Sequence, residues 1–199
     1  MTDGTALREI AAEILTEILE KGQYTHLALF QALSKYQYLE KSDRSFLKRI
    51  VDGTVEYKIQ IDYIINAYSK TKVHKMKPFI RTLLRMSVYQ IYYMDRVPDS
   101  AACNEAVRLA KKRGFSGLSG FVNGVLRSVA RGKGKLTFPD DSVRYSIPDW
   151  ILSLWKENYG AETTHRMAQA GRRNIRLWCG LPRAVQGKKR FLPPCPPRA

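Results

Sequence analysis

Apolar residues recur at steps of three and four along most of the sequence, and this spacing is typical of amphipathic helices. Leu7, Ile10, Ile14 and Ile18 begin the pattern, which returns in further segments as far as Val129. The alternation expected of a half-buried strand is missing before residue 138. The sequence therefore predicts an all-α bundle of about seven helices.

Glycine and proline mark where these helices begin and end. Gly22, Gly114 and Gly132 each follow an apolar helical run and predict its end. Pro78 predicts the first position of a later helix, where a missing N–H does no harm. We also expect one long helix, kinked or straight, over residues 42–65.

Composition divides the chain into three parts. Residues 1–138 contain the bundle, and residues 139–170 predict linker helices, one of them a short helix between Pro148 and Gly160. Residues 171–199 contain eight lysines and arginines, no acidic residue and no sustained period. We interpret them as an irregular basic tail that is disordered or not native sequence; the alternative is a native RNA-binding tail.

The formal net charge of +16 predicts a polyanionic partner, either nucleic acid or an anionic membrane surface. No run approaches the roughly 18 apolar residues that a membrane span needs, and no signal peptide is evident. Cys103, Cys179 and Cys195 match no zinc or redox spacing. We therefore expect a soluble cytoplasmic protein that contacts no membrane.

Catalytic and metal-binding motifs are not evident. Gly114, Gly117 and Gly120 are three residues apart but follow a helical segment, whereas a nucleotide-binding glycine loop follows a strand. The three histidines lie far apart, without carboxylates or cysteines at ligand spacing. We expect no catalytic residue, no metal site and no cofactor in this chain.

Basic residues gather in three groups that could contact phosphates. Helix-dipole preference accounts for one or two cations at a helix end but not for four. The remaining cations could bind the phosphate backbone of a nucleic acid by electrostatic attraction. The RNA-binding candidates are Arg8, Lys72, Lys75, Lys77, Arg108, Lys111, Lys112, Arg113, Arg127, Arg131, Lys133 and Lys135.

Three stretches carry a resemblance to a known family. They are SDRSFLKRIVDGTVEYKIQID, RTLLRMSVYQIYYMDRVPDSAACNEAVRLAKK and FVNGVLR. In this order and spacing the chain resembles the NusB-like RNA-binding domain over about residues 5–135. The resemblance implies a NusB-like helical bundle that binds RNA, with a short linker helix after it.

Two groups share this fold, and the sequence favours one of them. The segment RYSIPDWILSLWKENYGAE resembles the link between this domain and the catalytic part of bacterial ribosomal RNA cytosine-5 methyltransferases. That resemblance implies 16S ribosomal RNA as partner. It places S-adenosylmethionine and the catalytic cysteines in a domain that this sequence does not contain, so we expect no methyl transfer from this chain alone.

Two other functions stay open. The chain could be a free antitermination factor that binds RNA with a protein partner, although such factors tend to have a more arginine-rich start than Arg8 alone. It could also be a helical module that binds protein and not RNA, with Trp150 and Trp155 on the linker helix as contacts.

Several residues within the resembling stretches are expected to hold the fold. Arg81, Arg85, Glu105 and Asn123 lie on helices whose other faces are apolar. We expect a buried arginine to pair with Glu105, and Asn123 to satisfy backbone groups.

Overall fold

The structure, a computed structural model, describes residues 4–173, which form ten α-helices and no strand. Helices α1–α7 span Gly4–Lys21, Thr25–Lys35, Lys41–Glu56, Lys58–Tyr68, Pro78–Tyr93, Asp99–Lys112 and Ser119–Arg131. Helices α8–α10 span Asp141–Tyr145, Asp149–Tyr159 and Ala161–Arg173. The predicted all-α bundle is confirmed. The basic tail over 171–199 lies almost wholly outside the described residues.

Helix α5 forms the centre of the bundle because it is apolar around most of its circumference. Ile80, Leu83, Leu84 and Ile91 are at most 1% exposed. Helices α1, α3, α4, α6 and α7 all pack against it. Each large apolar side chain buried in this way contributes roughly 1.5–3 kcal/mol. The helix begins at Pro78, as predicted from its fixed φ and missing N–H.

One helix boundary differs from the prediction, and another is set by a proline. The long helix expected over residues 42–65 is divided at Tyr57, whose φ of −90° and ψ of 15° leave the helical region and turn the chain. The N-cap of α6 is Pro98, which is extended at φ −59° and ψ 138°. Proline fixes its own φ and has no N–H, so the helix begins directly after it.

A buried ionic cluster ties α5 to α1 and α4. Arg85 donates from Nε to Asp62 Oδ1 at 2.7 Å and from a terminal nitrogen to Asp62 Oδ2 at 2.9 Å. Its other terminal nitrogen lies 3.5 Å from Glu20 Oε1, and Glu20 also accepts from Arg81. The Arg85 side chain is only 7% exposed. Bidentate pairing of this kind compensates for the lost hydration of the guanidinium.

The expectation that a buried arginine pairs with Glu105 is therefore wrong. The partners of Arg81 and Arg85 are Glu20 and Asp62, because α5 faces α1 and α4 at this depth. Glu105 instead accepts from Arg108, one turn along its own helix, at 3.3 Å.

The described residues divide into two compact units, the first ending at Leu152 and the second beginning at Ser153, with the boundary inside α9. Within the first unit, α8 is held to α4: the Ile59 N–H donates to Ser146 Oγ at 3.1 Å, and Gln60 Nε2 donates to the Arg144 carbonyl at 3.0 Å. The first unit thus includes a helix from the segment interpreted as linker. The short helix between Pro148 and Gly160 is present as α9.

Arg85→Met should lower the free energy of unfolding by about 3 kcal/mol, because it leaves Asp62 and Glu20 with fewer counter-charges in a buried position. Urea denaturation measures the change. Arg81→Met is the matched control: its side chain is 24% exposed, so about 1 kcal/mol or less is expected. Equal losses for the two variants would contradict the central role of Arg85.

Two helical glycines should respond to alanine with opposite signs. A methyl group at Gly53 would overlap the Tyr89 ring, whereas nothing lies within 4 Å of the corresponding position at Gly124. Alanine in an exposed helix is favoured over glycine by about 1 kcal/mol. Thermal unfolding should therefore show Gly124→Ala stabilised and Gly53→Ala destabilised. A stabilised Gly53→Ala variant would contradict the close packing of Tyr89.

Candidate nucleic-acid interface

Helices α6 and α7 form a hairpin that carries most of the predicted basic residues. They pack directly on each other and are joined by residues 113–118. Gly114 ends α6 in the left-handed region, at φ +80°, which glycine adopts without strain. Gly114 therefore ends α6, as predicted, while Gly117 lies in the connection and Gly120 in the first turn of α7.

Each helix of the hairpin presents a polar stripe to solvent. On α6 the stripe consists of Asn104, Arg108 and Lys111, at steps of four and three. On α7 it consists of Asn123, Arg127 and Arg131, at steps of four. Residues three or four apart share one face of a helix. Of the six side chains only Asn123 is half-buried; the others are exposed.

The two basic helix ends are at opposite ends of the hairpin, since a short connection makes α6 and α7 antiparallel neighbours. Arg127 acts electrostatically on Cys103, near the start of α6. Burial raises the pKa of that thiol, and the positive charge of Arg127 opposes the rise. The basic ends of α6 and α7 are therefore apart, whereas Arg108 and Arg127 line a common groove between the two helices.

Two of the candidate cations are neutralised by α1. Lys112 Nζ lies 2.5 Å from Glu9 Oε2, and Arg113 Nε lies 3.1 Å from Glu9 Oε1. Arg113 also pairs with Glu13 and lies over the Phe79 ring at 5.8 Å. The hydrogen bond from Lys112 is the largest cause that lowers the pKa of Glu9. These two cations hold α6 against α1 and have less charge to offer a ligand.

Arg8 occupies a buried position in α1 and is 9% exposed. Its Nε donates to Gln90 Oε1 at 2.7 Å, and a terminal nitrogen donates to the Gly4 carbonyl at 3.0 Å. The guanidinium also lies 5.3 Å from the centre of the Phe46 ring. The structure therefore gives Arg8 a packing role, which separates it from the exposed candidates.

The lysines of the α4–α5 connection extend the basic surface. Lys70, Lys72, Lys75 and Lys77 are exposed, and none forms an ion pair with a carboxylate of residues 4–173. The segment begins beside the end of α7, where Tyr68 donates to the Gly132 carbonyl at 3.0 Å. It ends with Lys77, whose Nζ lies 5.5 Å from the centre of the Phe115 ring.

Lys133 and Lys135 follow Gly132 and are exposed. Because Gly132 lies against Tyr68 at the end of α4, these two lysines lie near the start of the lysine-bearing connection. The surface that remains positive after ion pairing thus combines the two polar stripes, Lys133, Lys135 and the connection.

A groove between α6 and α7 was not predicted from the sequence. It has a volume of about 510 Å³ and is lined by Ala101, Asn104, Glu105, Val107, Arg108, Asn123 and Arg127. The expected bond from Asn123 to the backbone is absent among the described residues. The spacing of Asn104 to Arg108 and of Asn123 to Arg127, four residues in each helix, is the signal that could have indicated this groove.

Within residues 4–173, no helix is long and apolar enough to cross a membrane. The same part of the chain contains no group of three or more histidine, cysteine or acidic side chains placed to hold a metal ion.

Residues 5–131 match the NusB family. The probable ribosomal RNA small subunit methyltransferase B of Bacillus subtilis is 37% identical over 171 residues, which are 83% of this chain and 38% of that protein. The transcription antitermination protein NusB of Symbiobacterium thermophilum is 35% identical over 144 residues, which are 68% of this chain and 94% of that protein. The chain thus spans about two fifths of the length of the methyltransferase relative.

A solved structure shares the fold. The NusB-type chain in the crystal structure of antitermination factors NusB and NusE in complex with double-stranded RNA has a TM-score of 0.60 and 21% identity. The matched region covers 64% of the present chain and 96% of the solved NusB-type chain.

Protonation of Glu9 should weaken the contact between α1 and α6. Because the pKa of Glu9 is lowered in the folded chain, its stabilisation is complete above the ordinary glutamate pKa of about 4.3. The stabilisation is lost as the pH falls through the lower folded-state pKa. Urea unfolding should therefore show Glu9→Gln less stable than the wild type at neutral pH and nearly equal to it in strong acid. Glu17→Gln, which removes an exposed pair with Lys21, should show a smaller difference; equal differences would contradict the assignment.

Proposed function

The chain belongs to the NusB family, and on this basis we propose that its α6–α7 surface binds RNA. In the longer protein to which such a domain belongs, it would hold small-subunit ribosomal RNA for a cytosine-5 methyltransferase part. The observation that supports this most directly is a set of exposed cations along the hairpin that have no carboxylate partner among residues 4–173, namely Lys111, Arg127 and Arg131.

The distribution of charge favours a polyanion over a small ligand. Acidic side chains of α1 neutralise Lys112 and Arg113. Beside the two stripes, Glu105 forms an ion pair with Arg108 alone among the described residues. A one-sided, uncompensated positive surface is the electrostatic footprint of nucleic-acid binding. Each phosphate contact releases condensed counter-ions, so the affinity should fall steeply as salt increases.

The extent of the similarity favours the methyltransferase group. The match to the Bacillus subtilis relative covers 171 residues, against 144 for the Symbiobacterium thermophilum NusB protein. The family region itself ends at residue 131. The additional similarity therefore supports relatedness beyond the bundle, in the part of the chain that contains α8 and α9.

S-adenosylmethionine would belong to the remainder of such a protein. A Rossmann-type cofactor site needs a strand followed by a glycine-rich turn and a helix. Residues 4–173 contain no strand; Gly114 and Gly117 lie in the connection between α6 and α7, and Gly120 lies in the first turn of α7. The described residues do not fit a site of this kind, and we assign them no step of methyl transfer.

Antitermination with a protein partner is the second candidate function. It is favoured by the high coverage of the shorter relative, 94% of the NusB protein of Symbiobacterium thermophilum. The two candidates differ in RNA preference. A methyltransferase domain should retain small-subunit ribosomal RNA fragments in preference to unrelated RNA of equal length, with no added protein. Equal retention of both RNAs, or retention only with a protein partner, would contradict the first candidate.

Lys111→Ala should weaken RNA binding more than Lys112→Ala. The two lysines are neighbours on α6, but only Lys112 is held by Glu9, at 2.5 Å. Fluorescence anisotropy with a labelled ribosomal RNA fragment at several salt concentrations measures both effects. Lys111→Ala should also reduce the slope of log K against log salt by about 0.7–0.9 if it neutralises one phosphate. An equal loss for both variants would contradict the division into paired and unpaired cations.

A further inference from the structure

The groove between α6 and α7 combines charged and neutral hydrogen-bonding groups in one place. Arg108 and Arg127 enter it from opposite helices, and each brings a planar guanidinium. Asn104 and Asn123 line the same groove, and Glu105 forms part of its wall. A surface that only attracts a phosphate backbone needs cations alone, so the two amides and the carboxylate call for a separate explanation.

Glu105 contributes both a pair with Arg108 and a buried carboxylate oxygen to the wall of the groove. Its Oε1 accepts from Arg108 at 3.3 Å, which fixes one nitrogen of that guanidinium and leaves the other N–H groups available. Its Oε2 is buried and has no hydrogen-bond partner among the described residues. A buried negative oxygen repels an anion placed deep in the groove, whereas a neutral group there suffers no such repulsion.

The amides are free to recognise a neutral ligand. Asn104 is exposed and Asn123 is half-buried, and neither forms a hydrogen bond with another described residue. An asparagine amide offers a donor and an acceptor side by side, which is the pattern that a nucleobase edge complements. Arg127 forms no ion pair with a carboxylate of residues 4–173, so its full charge is available to a phosphate.

We propose that this groove holds one unpaired RNA nucleotide, with its phosphate on Arg108 and Arg127 and its base edge on Asn104 and Asn123. This inference rests on the proposed RNA-binding function and assigns a subsite within it. The volume of about 510 Å³ falls in the range of pockets that take small ligands. The base must be unpaired, because side chains cannot read base edges in the deep, narrow major groove of duplex RNA.

Binding of four homopolymeric RNA oligonucleotides of equal length, and of one RNA duplex, tests the subsite. The full chain should bind the single strands more tightly than the duplex and should distinguish among the four bases. Asn123→Ala should reduce that discrimination about tenfold, with an unchanged salt slope. Arg127→Ala should weaken all four strands and reduce the salt slope by about 0.7.

Asn104→Ala provides a second amide variant at an exposed position, where folding is not at risk. Thermal unfolding of every variant checks that the bundle is intact. The matched controls are Gln31→Ala on α2 and Lys41→Ala on α3, an exposed amide and an exposed cation outside the hairpin; both should leave discrimination and salt slope unchanged.

The outcomes separate the subsite from the general function. RNA binding that Asn104→Ala, Asn123→Ala and Arg127→Ala leave unchanged would overturn the subsite while the proposed function stands. Tighter binding of the duplex than of every single strand would also overturn it. No binding of any RNA by the wild-type chain would overturn both proposals.

Discussion

Helix α5 must find partners for its polar groups within the bundle, because other helices surround it, and Arg85 is the side chain for which this matters most. Its bidentate bond to Asp62 and its contact with Glu20 join α5 to α4 and α1. Once these three helices are fixed, α6 and α7 can pack only on the faces of α5 that remain. The position of the candidate interface therefore depends on a charge that is itself inaccessible to a ligand.

Basic side chains have two roles in this chain, as structural links and as exposed charges, and three consecutive residues at the end of α6 show the difference. Lys112 and Arg113 are bound by Glu9 and Glu13 and act as structural links between α6 and α1. Lys111 lies one residue earlier, has no carboxylate partner among the described residues and faces solvent. Net charge alone would count these residues equally, although the ion pairs leave only part of that charge available for an external polyanion.

The helices could be predicted from the sequence because a buried helix face requires apolar residues at steps of three and four. Ile80, Leu83, Leu84 and Ile91 show this spacing. Contacts between residues far apart in the sequence could not be predicted in this way. Lys112 and Glu9 are 103 positions apart, and Arg8 and Gln90 are 82 positions apart. No periodicity predicts which cation meets which acid. The exposed cations of the two helix stripes, in contrast, were all among the sequence candidates, because their positions on the helix faces follow from the same spacing.

The close packing of Gly132 limits where residues can be inserted into this domain during evolution. A side chain at this position would overlap the Tyr68 hydroxyl, so the end of α7 is fixed against the end of α4. An inserted residue within α7 would rotate the helix on one side of it by about 100° relative to the other. An insertion between Asn123 and Arg127 would therefore carry one of them off the shared face. The connection over residues 116–118, largely exposed, could lengthen without that rotation. Natural variation in length should therefore concentrate in the connection and leave the span from Asn123 to Gly132 constant.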